Sequence, residues 1–543
     1  MKKILALALT LVMLLSAVPA LAELNAPGVY PISSEKKSLT IWSGQIATLE
    51  DFETSAENVY TEELMNVDVT WVTATSSEAT EKFNLALASP DRPEVFLQTL
   101  SLDEVMPYAE DGVILPLEDL IDNHTVNIKK LLDENPWIRE QLTAPDGHIY
   151  LLPNYIYQAQ SSTPKMWVFK PYLEAYTAAT GKGLPTTTEE FKDMLVYFRD
   201  NDMNGNGQAD EIPLTGTYHY GPDGQDPIYW IANAFIDLCS QKEAYFMPNG
   251  DGTFNCVAIT DEFRAALKYA NELFEEKLLV EDTYVQDLFQ FRLLTSVPKA
   301  SQTVCVAAAP YAMRLMNYNA DPAYSQWTDW EPILPLKRPD GTQHIAAGYE
   351  NLLTARTFLT NNCKEPEVAI RWLDYFYSEE GRLWAINYGK EGEHWGWADE
   401  PSLGGGDKSI KSLVEWGTTQ NVYWPQGWGP NSVRTLADFM NKAAADAPTD
   451  NQMMSILAQE KYAPYVTYCD IPLIVWNSDQ DMLDERTDLE TALEPKLKEY
   501  ATNFIMGKID VNDDAAWEAY KADLESMGLS RYIELQGEYY YGK

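Results

Sequence analysis

The chain has 543 residues, 45% hydrophobic and 12% aromatic, which is too long for one core and too apolar for a disordered protein. Its 82 acidic residues against 40 lysines and arginines give a formal charge of −42, a field that repels phosphate backbones and anionic lipid and argues against nucleic-acid binding. Five cysteines (Cys239, Cys256, Cys305, Cys363 and Cys469) lack C-x-x-C spacing, which argues against a zinc site or a disulfide scaffold. Cys239 and Cys256 flank a turn-rich segment and could be bridged in an oxidising space; buried free thiols are the other reading.

In chain order, Met1-Lys2-Lys3, the apolar run 4–18 and Ala20-Leu21-Ala22 form the three regions of a secretory signal peptide, residues 1–22, so the mature chain starts at Glu23 and is exported. No cysteine follows that point before Cys239, so a lipid tether is not indicated. Strands at 38–42 and 67–72 with a helix at 51–65 between them read as a β-α-β unit. A helix at 78–88, a strand at 94–97, a helix at 101–110 and a strand at 113–117 continue the pattern.

Asp146-Gly147 is a turn signal, 149–152 a short strand that Pro153 ends, and Tyr155 and Tyr157 stand where it exits. If that exit is the rim of a cleft, a ligand sits beside these rings; an ordinary strand exit with surface tyrosines is the alternative. Further on come a strand at 166–169, helices at 170–180, 188–199 and 261–276, and strands at 305–310 and 333–336. Helices at 365–377 and on to 388, a Gly404-Gly405-Gly406 joint, and helices at 484–506 and 515–527 complete the α/β pattern.

Residues 200–211 match the calcium-loop pattern D-x-[DN]-x-[DN]-G-x5-E. Asp200, Asp202 and Asn204 offer side-chain oxygens at alternating positions, Gly205 permits the turn, Asn206 gives a carbonyl, and Glu211 closes the sphere. Asp210 replaces Glu211 if the loop is shorter than an EF-hand's, and an ion-free Asn/Gly turn is the plain alternative. Tryptophans and tyrosines cluster in loops at 228–230, 393–397, 415–417 and 422–429. Rings on loops suit stacking on sugar faces while nearby carboxylates and amides bond the hydroxyls, although any single ring can instead be buried beneath its loop. The five histidines (His124, His148, His219, His344, His394) show no metal-ligand spacing, and no nucleophile elbow, P-loop or dinucleotide fingerprint occurs. Catalysis has no positive signal.

Several segments, in order, resemble extracellular solute-binding protein family 1, the carbohydrate-capturing subunits of ABC importers, in its long oligosaccharide-type branch. They are Ile41-Trp42, residues 81–93, residues 111–117, the 146–153 crossing, Asp210-Glu211-Ile212-Pro213-Leu214, residues 366–375, residues 389–395, and the tail from Phe504 to Leu529. The resemblance implies a two-lobed, type 2 periplasmic-binding-protein-like fold with hinge crossings that closes like a Venus flytrap on a sugar chain. Lobe 1 is then 36–154 plus 330–395, and lobe 2 is 155–329 plus 396–543. It implies stacking rings at Trp42, Tyr155, Trp230, Tyr349, Trp395, Trp424 and Trp428, and hydroxyl-binding groups at Asp91, Asn154 and Glu350. A permease partner, a monomer and a structural calcium ion follow from the same likeness. The alternatives are a secreted glycosidase, or a binder of peptides or other solutes on the same scaffold.

Overall fold

The computed structural model describes residues 24–542 except 46–48, 76–77, 99–101, 158, 219–224, 240–244, 318, 320, 388, 403–405, 414–420, 422–432, 441–450, 470 and 478. The signal segment 1–22 lies outside the described residues. The chain divides into two compact α/β units. The first is Met1–Asn154, Ala355–Trp395 and Ser412–Val433; the second is Tyr155–Thr354, Gly396–Lys411 and Arg434–Lys543.

In the first unit, strands Lys37–Gln45 and Val67–Thr75 pair in parallel along nine residues, and Val95–Phe96 joins the other edge of Lys37–Gln45, also in parallel. The alternation seen in the sequence explains the pairing: Val67 and Val69 are buried while Asp68 and Thr70 are exposed. The connecting helix, Ala56–Met65, ends at Asn66 in the left-handed conformation. Trp42 packs edge-on to Phe83 at 5.2 Å and against Phe96 at 6.0 Å, and Phe96 stacks on Phe358 at 5.0 Å. The buried Asp374, in helix Pro366–Tyr375, accepts the backbone N–H groups of Val126, Asn127 and Ile128 at 2.8–3.0 Å. Three orphan donors at the start of helix Asn127–Glu134 are thereby satisfied by a residue far along the chain.

The six-stranded sheet runs Val433–Arg434, Leu152–Tyr157, Asn351–Leu359, Val95–Phe96, Lys37–Gln45, Val67–Thr75. The first three of these strands are the places where the chain passes from one unit to the other. Two expectations change here. Pro153 lies inside a strand rather than ending one, which a proline tolerates because the neighbour Val433–Arg434 is only two residues long. Residues 113–117 make a single bridge, Ile114 to Thr360, instead of a strand.

The second unit holds a four-stranded sheet in the order Trp330–Ile333, Met166–Phe169, Val304–Ala308, Ile212–Thr215. Met166–Phe169 and Val304–Ala308 are buried at every residue, as strands covered on both faces are. Helices Lys170–Thr180, Thr188–Asp200, Asp261–Glu275 and Gln480–Ile505 belong to the same unit. Thr187 caps the second of these by accepting the Glu190 N–H at 3.2 Å. Residues 330–354, expected in lobe 1, belong here because Trp330–Ile333 is the antiparallel edge partner of Met166–Phe169. Residues 412–433, expected in lobe 2, fall in the first unit, where Asn421 bonds the Asp51 and Ala56 backbone and the Thr54 hydroxyl. All five cysteines, Cys239 and Cys256 among them, are free thiols. Among the described residues no helix is long and apolar enough to cross a membrane.

Candidate functional site

Three segments remote in sequence meet in the second unit. Tyr155-Ile156-Tyr157 ends the strand begun at Leu152 and leads to the short helix Ala159–Ser162, whose Ser162 hydroxyl donates to the Tyr349 carbonyl at 2.5 Å. Tyr349 and Glu350 follow strand Ile345–Ala347, which pairs in parallel with Val466–Tyr468 and sets Ala347 opposite Tyr468. Burial raises the phenol of Tyr155, and the Glu350 charge adds to it. Tyr157 is raised by burial, then by Tyr468, Glu350 and Glu460. Tyr468 is pushed up to about 12 by burial and then Glu350. At neutral pH these hydroxyls therefore keep their protons, and the Glu350 charge reaches all three.

Gln459, on helix Asn451–Tyr462, lies beside Tyr468. It is 3% exposed, and its amide side chain is a hydrogen-bond partner of the Tyr468 hydroxyl. Tyr349 also lines a hollow of about 250 Å³ with Cys239, Met247, Leu353, Thr354 and Cys469. Flat rings, phenolic donors, a carboxylate and an amide are the groups that a polyhydroxylated ligand needs. Gln459 and Tyr468 escaped the sequence reading because a lone glutamine in a helix and a tyrosine on a three-residue strand carry no local signal.

The first unit brings its own polar groups to the carboxyl end of its parallel strands, where α/β sheets commonly take ligands. The Leu97 N–H bonds the Trp42 carbonyl at 3.1 Å, and Gln98 follows it with a buried Oε1 that has no partner among the described residues. Asn154 is 5% exposed, and its Oδ1 is in the same state. Asn154 was named from sequence; Gln98 was not, though its place directly after the strand Val95–Phe96 is a readable signal.

Other expected ring and hydroxyl positions lie elsewhere. Trp42 is core, 1% exposed between its phenylalanines. Trp230 is core too: 2% exposed, 5.2 Å from Phe191, its indole N–H donating to the Tyr462 hydroxyl at 3.0 Å. Both stand on apolar faces of regular elements, where a large ring fills volume and leaves no face for a sugar. Trp395 is 3% exposed and donates to the Gly389 carbonyl at 2.7 Å; it borders a first-unit hollow of about 490 Å³ with Tyr60, Trp384, Lys390 and Glu391. Asp91 is exposed in the turn after helix Ala79–Ala88. Trp424 and Trp428 lie outside the described residues, as does His219. His124, His148 and His394 are tied to Arg371, Glu118 and the Lys390 backbone respectively.

The 200–211 loop is built around Asp202 rather than Asp200. Asp202 accepts the N–H groups of Gly205, Asn206 and Gly207 at 2.7–3.1 Å, with Gly205 and Gly207 at φ +73° and +79°. Asn206 donates to both Asp210 oxygens at 3.0–3.1 Å, and Asn204 approaches the same carboxylate at 3.4 Å. Asp200 instead forms a two-point pair with Arg199 at 2.8 and 3.1 Å, which holds its carboxyl below the usual range. Glu211 spends one oxygen on the Met203 N–H at 2.6 Å; its other oxygen is buried with no partner among the described residues. Asp202, Asn204, Asn206, Asp210 and Glu211 thus share one hydrogen-bonded loop and Asp200 stands apart from it; among the described residues no cluster of three or more His, Cys, Asp or Glu side chains is arranged to hold a metal ion.

No family model matches the chain. It is 25% identical over 487 residues, 87% of its length and 84% of the relative's, to the fructooligosaccharide ABC transporter substrate-binding protein FusA of Streptococcus pneumoniae. Among solved structures, the FusA EF-hand mutant in complex with fructo-nystose matches at TM-score 0.67 and 24% identity, over 92% of this chain and 98% of that one. An HMO-binding, ABC-transporter-associated solute-binding protein from Bifidobacterium longum infantis matches at TM-score 0.70 and 17% identity, over 93% and 98%. The likeness first read in scattered motifs thus extends along most of the chain and into its fold. By sequence the chain is similar to an ABC-transporter carbohydrate substrate-binding protein along most of its length, and it shares the two-lobed α/β fold of the solved solute-binding proteins.

Proposed function

We propose that the protein is the extracytoplasmic capture subunit of an ABC importer, and that its ligand is an oligosaccharide. The observation that carries this reading is the gathering of Tyr155, Tyr157 and Tyr468 about Glu350, with Gln459 beside Tyr468, in a chain that aligns with FusA over most of its length. The protein is exported by its amino-terminal segment, works as a monomer, and hands the sugar chemically intact to a permease. A glycosidase is the rival reading: product formation from a glycan panel, abolished by a single Asp or Glu substitution, would replace the binder.

Calorimetry against defined oligosaccharides, fructo-oligosaccharides first, tests the reading, since a ligand at 100 times its dissociation constant stabilises the fold by about 2.7 kcal/mol. A panel in which peptides bind and every oligosaccharide fails overturns it. Tyr155→Ala is expected to weaken sugar binding by about tenfold, the loss of one ring contact and one hydroxyl, with the melting temperature kept within a few degrees. Unchanged affinity removes the tyrosine cluster from the site.

We also propose calcium at the Asp202 loop. A bound ion there links the end of helix Thr188–Asp200 to the strand Ile212–Thr215 and so braces the second unit. Chelation is expected to lower the melting temperature and added calcium to restore it. Asp202→Ala abolishes that response and Asp200→Ala preserves it. The opposite pattern would put Asp200 back in the ligand set.

A further inference from the structure

Helix Leu288–Thr295 turns an apolar stripe outward. Phe289 and Leu293, one turn apart on the same face, are 70% and 65% exposed, and Val285 in the preceding turn is 63% exposed. Among the described large hydrophobic side chains only Leu85, at 66%, is exposed to that degree. The stripe is held rigid. Asp287 and Gln290 close a reciprocal cap on the helix start at 2.8 and 2.9 Å, while Leu288, Phe291 and Thr295 are buried on the inner face. Exposing three large apolar side chains on a well-anchored helix costs solubility and contributes nothing to the core, which is the mark of a surface that something else covers.

Charge and size narrow the occupant. Glu281, Asp282 and Asp287 are exposed carboxylates beside the stripe, whereas Arg292 is half-buried and Lys299 is held by Asp329 at 2.7 Å. An acidic rim on a chain of charge −42 repels anionic lipid and a second copy of itself alike. Three side chains make a patch well short of the roughly 800 Å² that each partner buries in a stable complex. A short-lived contact with a basic-rimmed apolar pocket on another protein meets both conditions.

We infer that the Val285, Phe289 and Leu293 stripe is a docking surface for the membrane-embedded permease, which rests on the import reading above. The apolar side chains supply the contact, and Glu281, Asp282 and Asp287 set its orientation against lysines and arginines on the permease. In producing cells, the full chain with p-benzoylphenylalanine in place of Phe289 is expected to give a light-dependent adduct that peptide mass identifies as a multi-span permease subunit. Leu293→Glu in the same chain is expected to reduce that adduct about tenfold, because a carboxylate is then forced into the apolar contact. The melting temperature of this variant should match that of the parent, since Leu293 is exposed. An adduct with another copy of the chain, an adduct with lipid, no adduct, or one that Leu293→Glu leaves intact overturns the docking surface. A wild-type chain that binds no oligosaccharide in the calorimeter overturns the import reading instead, so the two failures are distinguishable.

Discussion

Trp230→Ala is expected to destabilise the protein by about 3–5 kcal/mol, the usual cost of emptying a large buried aromatic site. Trp230 packs on Phe191, and its indole N–H donates to the Tyr462 hydroxyl, which in turn bonds the Ile333 carbonyl. Truncation opens a cavity beside the second unit's sheet and strips a buried phenol of one partner. Trp230→Phe keeps most of the volume and loses that hydrogen bond, for about 1 kcal/mol. Urea unfolding at constant m-value checks both, and the sugar affinity of folded Trp230→Ala should stay that of the parent. A variant that unfolds like the parent yet loses its sugar would return Trp230 to the binding site.

Asp226→Asn is expected to stabilise the protein at alkaline pH. Asp226 is 7% exposed and caps the short helix Pro227–Ile231 by accepting the Ile228 N–H at 3.1 Å. Burial pushes its carboxyl up to about 7 against the opposing charge of Lys498. Tyr218, Tyr229, Tyr245 and Tyr284 surround it, and its charge adds to the rise that burial gives each of their phenols. The folded value lies above the unfolded one, so folding takes up a proton. That contribution is fully present below about pH 4 and is lost as pH rises through 7. Asparagine keeps the acceptor and drops the charge. The stability difference between Asp226→Asn and the parent should therefore grow by about 2–4 kcal/mol between pH 4 and pH 9. A difference that stays flat across that range would mean that the carboxylate is solvated where it stands.

The local elements were legible where one period dominates. The parallel pair Lys37–Gln45 and Val67–Thr75, the Thr187-capped helix and the buried strands all announce themselves through alternation, caps or unbroken apolar runs. Asn351–Leu359 also alternates, but its polar-looking start hid a nine-residue strand that carries the chain between units. The aromatic residues misled where their types were read apart from their environment. Trp42 and Trp230 fill cores, while the rings that gather around Glu350, Tyr157 buried and Tyr155 and Tyr468 partly exposed, are tyrosines contributed by strands some 310 residues apart in the chain. Spatial neighbours that distant leave no spacing to read. The calcium-type loop shows the same limit at short range. The pattern fits with Asp200 first, whereas the loop's backbone bonds go to Asp202 and Asp200 pairs with Arg199.

The carboxylate of Asp374 finishes a helix that begins 247 residues earlier. At roughly 5–20 residues per second, the ribosome needs on the order of 12–50 s to add that partner. Throughout that interval the backbone N–H groups of Val126, Asn127 and Ile128 lack the carboxylate that caps them.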